Sequence, residues 1–386
     1  MSAERVYSDE RLRRAMSVDR VSPVSGSHSS LAEGNHNFSF LLRTGQFPRR
    51  PLPVIPPQPH GKGEPMSNLI EAVRMESPDT IPVSVGILPA AWIRYGSELQ
   101  RLTDQYPQFF GGRQVDLSRV EESLAPSYRK GIYIDEWNCE WHNEHAGNEA
   151  IVKGHPVKDE EDVYALKIPD CRDGRLPHGF MYLRLLDLCG FENVMVWFAE
   201  EGETIRTLID KVLEYNIYQV AAILPRMGEI VSFGDDLGMQ KGLAIGADRW
   251  RTYMKPCFRK LYGMIKAYKP SQLIYMHTDG CIFEIMPDLQ ECGVDMINPQ
   301  FRANGLDNLV RVCRKDQIIP INLDLDRQLF PVATPSQLRD HVAQAVESLY
   351  YPKGALGLNV EFNYEIPLEN MAAVLDAVEK YRHYKG

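Results

Sequence analysis

Five polar segments each follow a short apolar, β-rich run, and each carries side chains able to ionise, hydrogen-bond or ligate a metal. They are Gly234-Asp235-Asp236-Leu237-Gly238, His277-Thr278-Asp279-Gly280-Cys281, Asn298-Pro299-Gln300, Asp324-Leu325-Asp326-Arg327-Gln328 and Glu361-Phe362-Asn363. His277 and Asp279 are two residues apart, so on an extended segment both face one side. An imidazole nitrogen and a carboxylate oxygen so placed could share one Zn²⁺, which accepts both donors. In the simpler alternative Asp279 caps a helix starting near Ile282 and His277 is a hydrogen-bonded histidine. Of the adjacent Asp235 and Asp236, one could serve as acid, base or substrate anchor while the other holds the glycine-bracketed turn. Asp324 and Asp326 also share a face, with turn stabilisation as the competing role. Trp137 and Trp141, among Asp135, Glu136, Glu140, His142 and His145, read either as an aromatic substrate pocket or as a packed loop.

Shared chemistry requires these segments to converge. Strand-like runs are expected at 81–88, 131–134, 193–198, 230–233, 273–276, 294–297, 318–323 and 356–360. Amphipathic helical stretches lie between them at 203–215, 248–267, 282–291, 306–314, 335–350 and 367–381. Pro335 and Pro367 suit first helical turns. Eight strands alternating with helices predict an α/β fold, a (β/α)8 TIM barrel, whose strand C-termini would meet at one mouth. A doubly wound sheet is the alternative. No GxGxxG follows a strand and no GxxxxGK[ST] occurs, so neither a dinucleotide nor an NTP site has its fingerprint.

The 386-residue chain has 44% hydrophobic and 25% charged residues, ordinary for a globular protein. Its charge is uneven. Residues 1–65 hold nine of the 43 basic and six of the 52 acidic side chains, leaving 34 and 46 for the rest. This basic, Pro- and Ser-rich head predicts a flexible tail over 1–65, with the barrel spanning 66–386; Met66 is an alternative start. A net charge of −9 argues against broad binding to nucleic acid or anionic membranes. No apolar run is long enough for a membrane span. Seven cysteines without a CxxC read as reduced thiols, which places the protein in the cytoplasm.

The residues resemble the uroporphyrinogen decarboxylase superfamily, which includes corrinoid-dependent methyltransferases. The segments carrying the resemblance are Gly234–Gln240, Met254-Lys255-Pro256, His277–Gly280, Ile285–Leu289, Gly293–Gln300 and Pro367-Leu368-Glu369-Asn370. It implies a barrel from about Met66 to the C-terminus. The decarboxylase would use no metal and would anchor its tetrapyrrole through an Arg-containing stretch after the first strand. Here that stretch, 83–92, has no arginine before Arg94, and an eight-carboxylate substrate needs cationic partners. The methyltransferases resembled bind zinc at the mouth, in one branch through His-x-Cys and a late Cys. His277 matches the histidine; Asp279 and Glu361 stand where the cysteines would be. The resemblance thus implies Zn²⁺ held by His277, Asp279 and Glu361, with a methyl passing from a small donor to a corrinoid on a partner protein. Trp92, Trp137, Trp141, Asn298, Gln300 and Asp326 would line the substrate, and Asp235, Asp236 and His277 would do the chemistry. A metal-independent decarboxylase and a non-catalytic binding barrel are the alternatives.

Overall fold

The computed structural model describes residues 66–170 and 172–386. The reading of residues 1–65 as a tail lies outside them, as does Cys171. Among the described residues nine strands form two sheets: β1 (Val83–Ile87), β2 (Gly131–Ile134), β3 (Glu140–Asn143), β4 (Ile151–Gly154), β5 (Ile230–Gly234), β6 (Leu273–Thr278), β7 (Met296–Pro299), β8 (Ile321–Asp324) and β9 (Leu356–Phe362). Six make a parallel sheet in the order β1-β9-β8-β7-β6-β5, while β2-β3-β4 is a separate antiparallel sheet.

The parallel sheet has two faces with different chemistry. In β6 the residues Ile274 and Met276 join a large cluster with Ile297, Ile321, Leu323, Leu358 and Val360, the face covered by helices. The alternate residues Leu273 and Tyr275 join Met296 and partly buried Ile230 in a second cluster, which Leu69, Ile70 and Val73 of the helix Met66–Arg74 complete. That amphipathic helix closes one end of the concave face with apolar side chains. Further along the same rows come Gly234, His277, Asn298, Asn322, Asp324, Asn359 and Glu361. The concave face therefore changes from apolar at the strand N-termini to polar at the C-termini.

Two of the eight expected strands go elsewhere. Residues 131–134 form β2, which pairs antiparallel with β3. Residues 193–198 lie in the helix Phe191–Glu200, where Val194, Trp197 and Phe198 are buried and Val196 is 52% exposed. That i, i+3, i+4 burial is the helical period, and it overrides the β-propensity of Val, Trp and Phe. Among the described residues, six strands rather than eight therefore share the parallel sheet. At its β5 edge, Gly179 N–H donates to Gly234 O at 2.8 Å. Pro177, lacking an N–H, and Gly179, with φ +74°, prevent a longer ladder there. Beyond β1, Ala90 N–H donates to Gly147 O of the antiparallel sheet's loop at 3.2 Å.

Helices outside the sheet carry the expected signals. Thr334 and Gln337 form a reciprocal capping box on the helix Pro335–Leu349. The helix Leu368–Tyr381 packs beside it, with Pro367 at its N-cap rather than inside its first turn. No helix among the described residues is long and apolar enough to cross a membrane. The six described cysteines are buried free thiols.

Candidate active site at the strand C-termini

Strand register sets the centre of the site. Gly234, His277 and Asn298 stand abreast on β5, β6 and β7. His277 Nδ1 lies 2.6 Å from Asn298 Oδ1, and Asn298 Nδ2 donates to the Asn322 carbonyl at 2.5 Å. Because a carbonyl can only accept, the carboxamide must present its oxygen to the imidazole, and Nδ1 carries the proton. Nε2, 3.3 Å from Asp279 Oδ1, is left as the nitrogen able to ligate or to exchange a proton.

The loop after β5 brings Asp236 to the same place. Its Oδ1 lies 3.1 Å from His178 Nε2 and accepts the Asp279 N–H at 3.0 Å. The His178 and His277 rings are 5.5 Å apart. His178, Asp236 and His277 are all half-buried and offer ligand atoms within 4.8 Å of one another, the one such group among the described residues. His178 reaches it over Gly234: a Cβ there would fall 2.5 Å from His178 Nδ1.

Burial alone would depress His277, but the hydrogen bond and charge of Asp279, with Asp324 and Asp236 beyond, push it up to about 9. The same contest raises His178, through its bond to Asp236. Burial would raise Asp236, but His178 and then His277 hold it below the usual carboxylate range.

Beside this trio lies an ionic network around Arg327. Its guanidinium donates to Asp279 Oδ2 at 2.6 Å and to Glu361, and its Nε stands 3.6 Å from Asp324 Oδ2. Asp324 also accepts from Asn359 at 2.9 Å, and burial pushes its carboxyl up to about 6 against the charges of Arg327 and His277. Of the three expected zinc ligands, His277 and Asp279 are thus adjacent, whereas Glu361 is turned onto Arg327.

A cleft of roughly 270 Å³ opens here, lined by residues of all the loops after β5 to β8. Asp236 links it to the histidines; Gln300, Arg302, Asp324, Asp326 and Arg327 contribute its other polar groups. Gln300 Oε1 accepts from Gly280 N–H at 2.9 Å, and Asp326 pairs with Arg302 at 2.6 Å. Asp326 also receives the N–H groups of Gln328 and Leu329. Gly280 (φ +84°) and Gly238 lie back to back; a Cβ on Gly280 would be 2.1 Å from the Gly238 carbonyl, so only glycine permits the two loops to join.

Other expected residues are placed away from the cleft. Asp235 is fully buried and accepts the N–H groups of Tyr182 and Leu183 at 2.6 and 2.9 Å, at the start of the helix Tyr182–Cys189. Burial raises it to about 6, opposed by those two bonds. Trp137 is 2% exposed, packed edge-on against Tyr215 at 5.0 Å. Trp141 donates to Asp135 at 3.1 Å, and Asp135 also binds Arg184 at 2.6 Å. Trp92 packs half-buried against the core. None of the three tryptophans lines the cleft.

The sequence reading missed His178. It sits between Pro177 and Gly179 in a stretch with no periodicity, and assigning a strand to 193–198 removed the reason to look for a neighbour of β5 before Tyr182. Glu149 was missed too; its carboxyl is raised by burial, with His178, Asp236 and Glu361 close enough to act on it.

A parallel sheet whose polar strand ends surround a cleft defines an α/β protein with an enzyme-type site. The family model for Uroporphyrinogen decarboxylase (URO-D) matches residues 186–381, and the chain belongs to that family. Among solved structures it is similar to a methyltransferase from Methanosarcina mazei, with a TM-score of 0.56 and 16% identity over 82% of this chain and 98% of that one. At this identity the likeness is one of fold. No curated protein matches the sequence.

Proposed function

We propose that this chain is an enzyme that takes a methyl group from a small methylated or methoxylated donor and passes it to a reduced corrinoid on a partner protein. The reading is carried by the convergence of His178, Asp236 and His277 beside the cleft. Two imidazoles and one carboxylate are a donor set zinc accepts while keeping a position open. His178 and Asp236 replace Asp279 and Glu361 in the proposed set, because both of those acids are engaged by Arg327. When bound, zinc would act as a Lewis acid on the ether oxygen or amine nitrogen that leaves.

The remaining chemistry belongs to the chain. Asn298 holds the proton of His277 on Nδ1 and turns Nε2 outward. Asp236 orients His178 and the Asp279 backbone together. Gln300 and Asp326 line the cleft, which supports a role for them in orienting the donor. Asp235 holds the neighbouring helix rather than substrate.

Tetrapyrrole decarboxylation fits less well. Arg302 and Arg327 are the cleft's only cations, both already paired with acids, and the cleft is small for such a ligand. Metal analysis of the purified full chain, paired with a methyl-transfer assay to cob(I)alamin over methoxyarenes and methylamines, tests the proposal. Stoichiometric zinc, lost in His178→Ala and His277→Ala, and methyl-cobalamin formation are expected. Turnover that releases CO₂ and survives chelators would establish the decarboxylase instead.

A further inference from the structure

The antiparallel sheet turns three isoleucines outward. Ile132, His142 and Ile151 stand abreast across its three strands, with Ile134 beside Glu140 in the next row. Ile132, Ile134 and Ile151 are 64%, 58% and 61% exposed. The opposite face carries Tyr133, Trp141 and Val152, of which Trp141 and Val152 pack against the core. The two edges of this sheet differ. β4 carries Lys153 and pairs with β3 in a shifted register, features that blunt an edge. β2, Gly131-Ile132-Tyr133-Ile134, has no charge, proline or bulge, and a Cβ on Gly131 would meet no atom within 4 Å. Asp135 N–H donates to Cys139 O at 3.1 Å, which sets the alternation of the β2–β3 ladder. Gly131 and Tyr133 therefore exchange hydrogen bonds with β3, while Ile132 and Ile134 turn their N–H and C=O groups to the edge.

We propose that β2 pairs antiparallel with β2 of a second copy of this chain, joining two three-stranded sheets into one of six strands. A two-fold axis normal to the sheet keeps each face on its own side, so residues must meet others of the same face. Centring the axis on Tyr133 satisfies this. Ile132 then lies opposite Ile134 of the second copy, and both direct their backbone groups outward. The pair is therefore hydrogen-bonded, it occurs twice by symmetry, and four isoleucines meet on the outer face. The ends of the strand fit the same register. Lys130 and Glu136 are exposed on either side of β2, Glu136 while accepting from the Tyr215 hydroxyl at 3.1 Å. Antiparallel pairing sets each Lys130 towards a Glu136, whereas parallel pairing would set lysine against lysine. The strand is complementary to itself, which makes a second copy its occupant. Two short strands bury less than a permanent dimer needs, so association depends on concentration.

Sedimentation equilibrium of the full chain, from micromolar to submillimolar concentration, should show a reversible dimer. Ile134→Lys, at an exposed position that folding tolerates, should weaken it about tenfold or more, since symmetry introduces the charge twice. Adding Ile132→Glu should restore it, because each new carboxylate then faces a new ammonium across the axis. Tyr133→Cys should crosslink two copies on oxidation, as the Cα atoms of such a non-hydrogen-bonded pair stand about 4.5 Å apart. Ile132→Cys alone should not, because its two copies are offset along the strands beyond the roughly 7 Å a disulfide spans. Mixed Ile132→Cys and Ile134→Cys chains should crosslink to each other, and serve if Tyr133→Cys does not fold. A chain that is monomeric throughout would overturn the proposal. A dimer indifferent to Ile134→Lys, or crosslinking as efficient with Ile132→Cys alone as with the mixture, would overturn it too.

Discussion

The Cβ that Gly234 lacks would lie 2.5 Å from Nδ1 of His178. That contact is with a side chain, and Gly234 itself has no left-handed backbone to protect. Gly234→Ala should therefore fold but push the imidazole away from Asp236 and His277. Zinc affinity is expected to fall by about ten- to a hundredfold, the range seen when groups supporting a metal ligand are altered. Metal titration beside a thermal melt checks this; unchanged affinity with an unchanged melt would remove His178 from the site.

Asn298 acts on His277 through one hydrogen bond, and its own orientation is set by the Asn322 carbonyl. Asn298→Ala frees the ring to place its proton on either nitrogen. At a pH above about 9, where the His277 ring is neutral, nitrogen NMR should show a mixed tautomer, and metal affinity should fall by about tenfold or more. A single Nδ1–H form in the variant would show that Asn298 does not set the tautomer.

Asp235 and Asp236 are neighbours in sequence with separate roles. Asp235→Ala strips two buried N–H groups of their acceptor and should cost about 2–4 kcal/mol of stability in denaturant unfolding. Asp236→Ala should lower zinc content with a much smaller stability loss. Equal effects of the two variants on metal content would contradict this division.

His341, buried on the helix Pro335–Leu349, accepts the Asp326 N–H at 3.1 Å and is pushed down to about 4 by burial, despite Asp326. Its neutral form is favoured by folding, so its contribution is complete above the unfolded value near 6.5. It is lost as pH falls from there towards 4. Unfolding free energies at pH 7 and pH 5 should differ by on the order of 1–2 kcal/mol more in the wild type than in His341→Leu. Parallel pH profiles in the two proteins would assign the acid sensitivity elsewhere.

Much of this molecule can be read from local pattern. Runs such as Ile321-Asn322-Leu323-Asp324 and Leu356–Phe362 alternate apolar with polar, and in a parallel strand that alternation assigns one set to the helices and the other to the concave face. The five polar strand ends, and His277 and Asp236 among them, were legible for that reason. So was the URO-D resemblance, now matched over residues 186–381. Residues 193–198 were misread because Val, Trp and Phe suit a strand by type, while their burial spacing belongs to a helix.

What only the tertiary structure decided is which of the legible residues meet. Trp137 and Asp235 have the right chemistry for a site, but packing against Tyr215 and the helix Tyr182–Cys189 commits them to the core. Asp279 and Glu361 look like ligands until Arg327 is seen between them. His178 carries no local signal, and it joins the site because a glycine on the neighbouring strand leaves its ring room. Periodicity is a property of neighbours along the chain and is written in the sequence. Convergence depends on register, loop closure and the space one side chain leaves for another, and those exist only once the chain has folded.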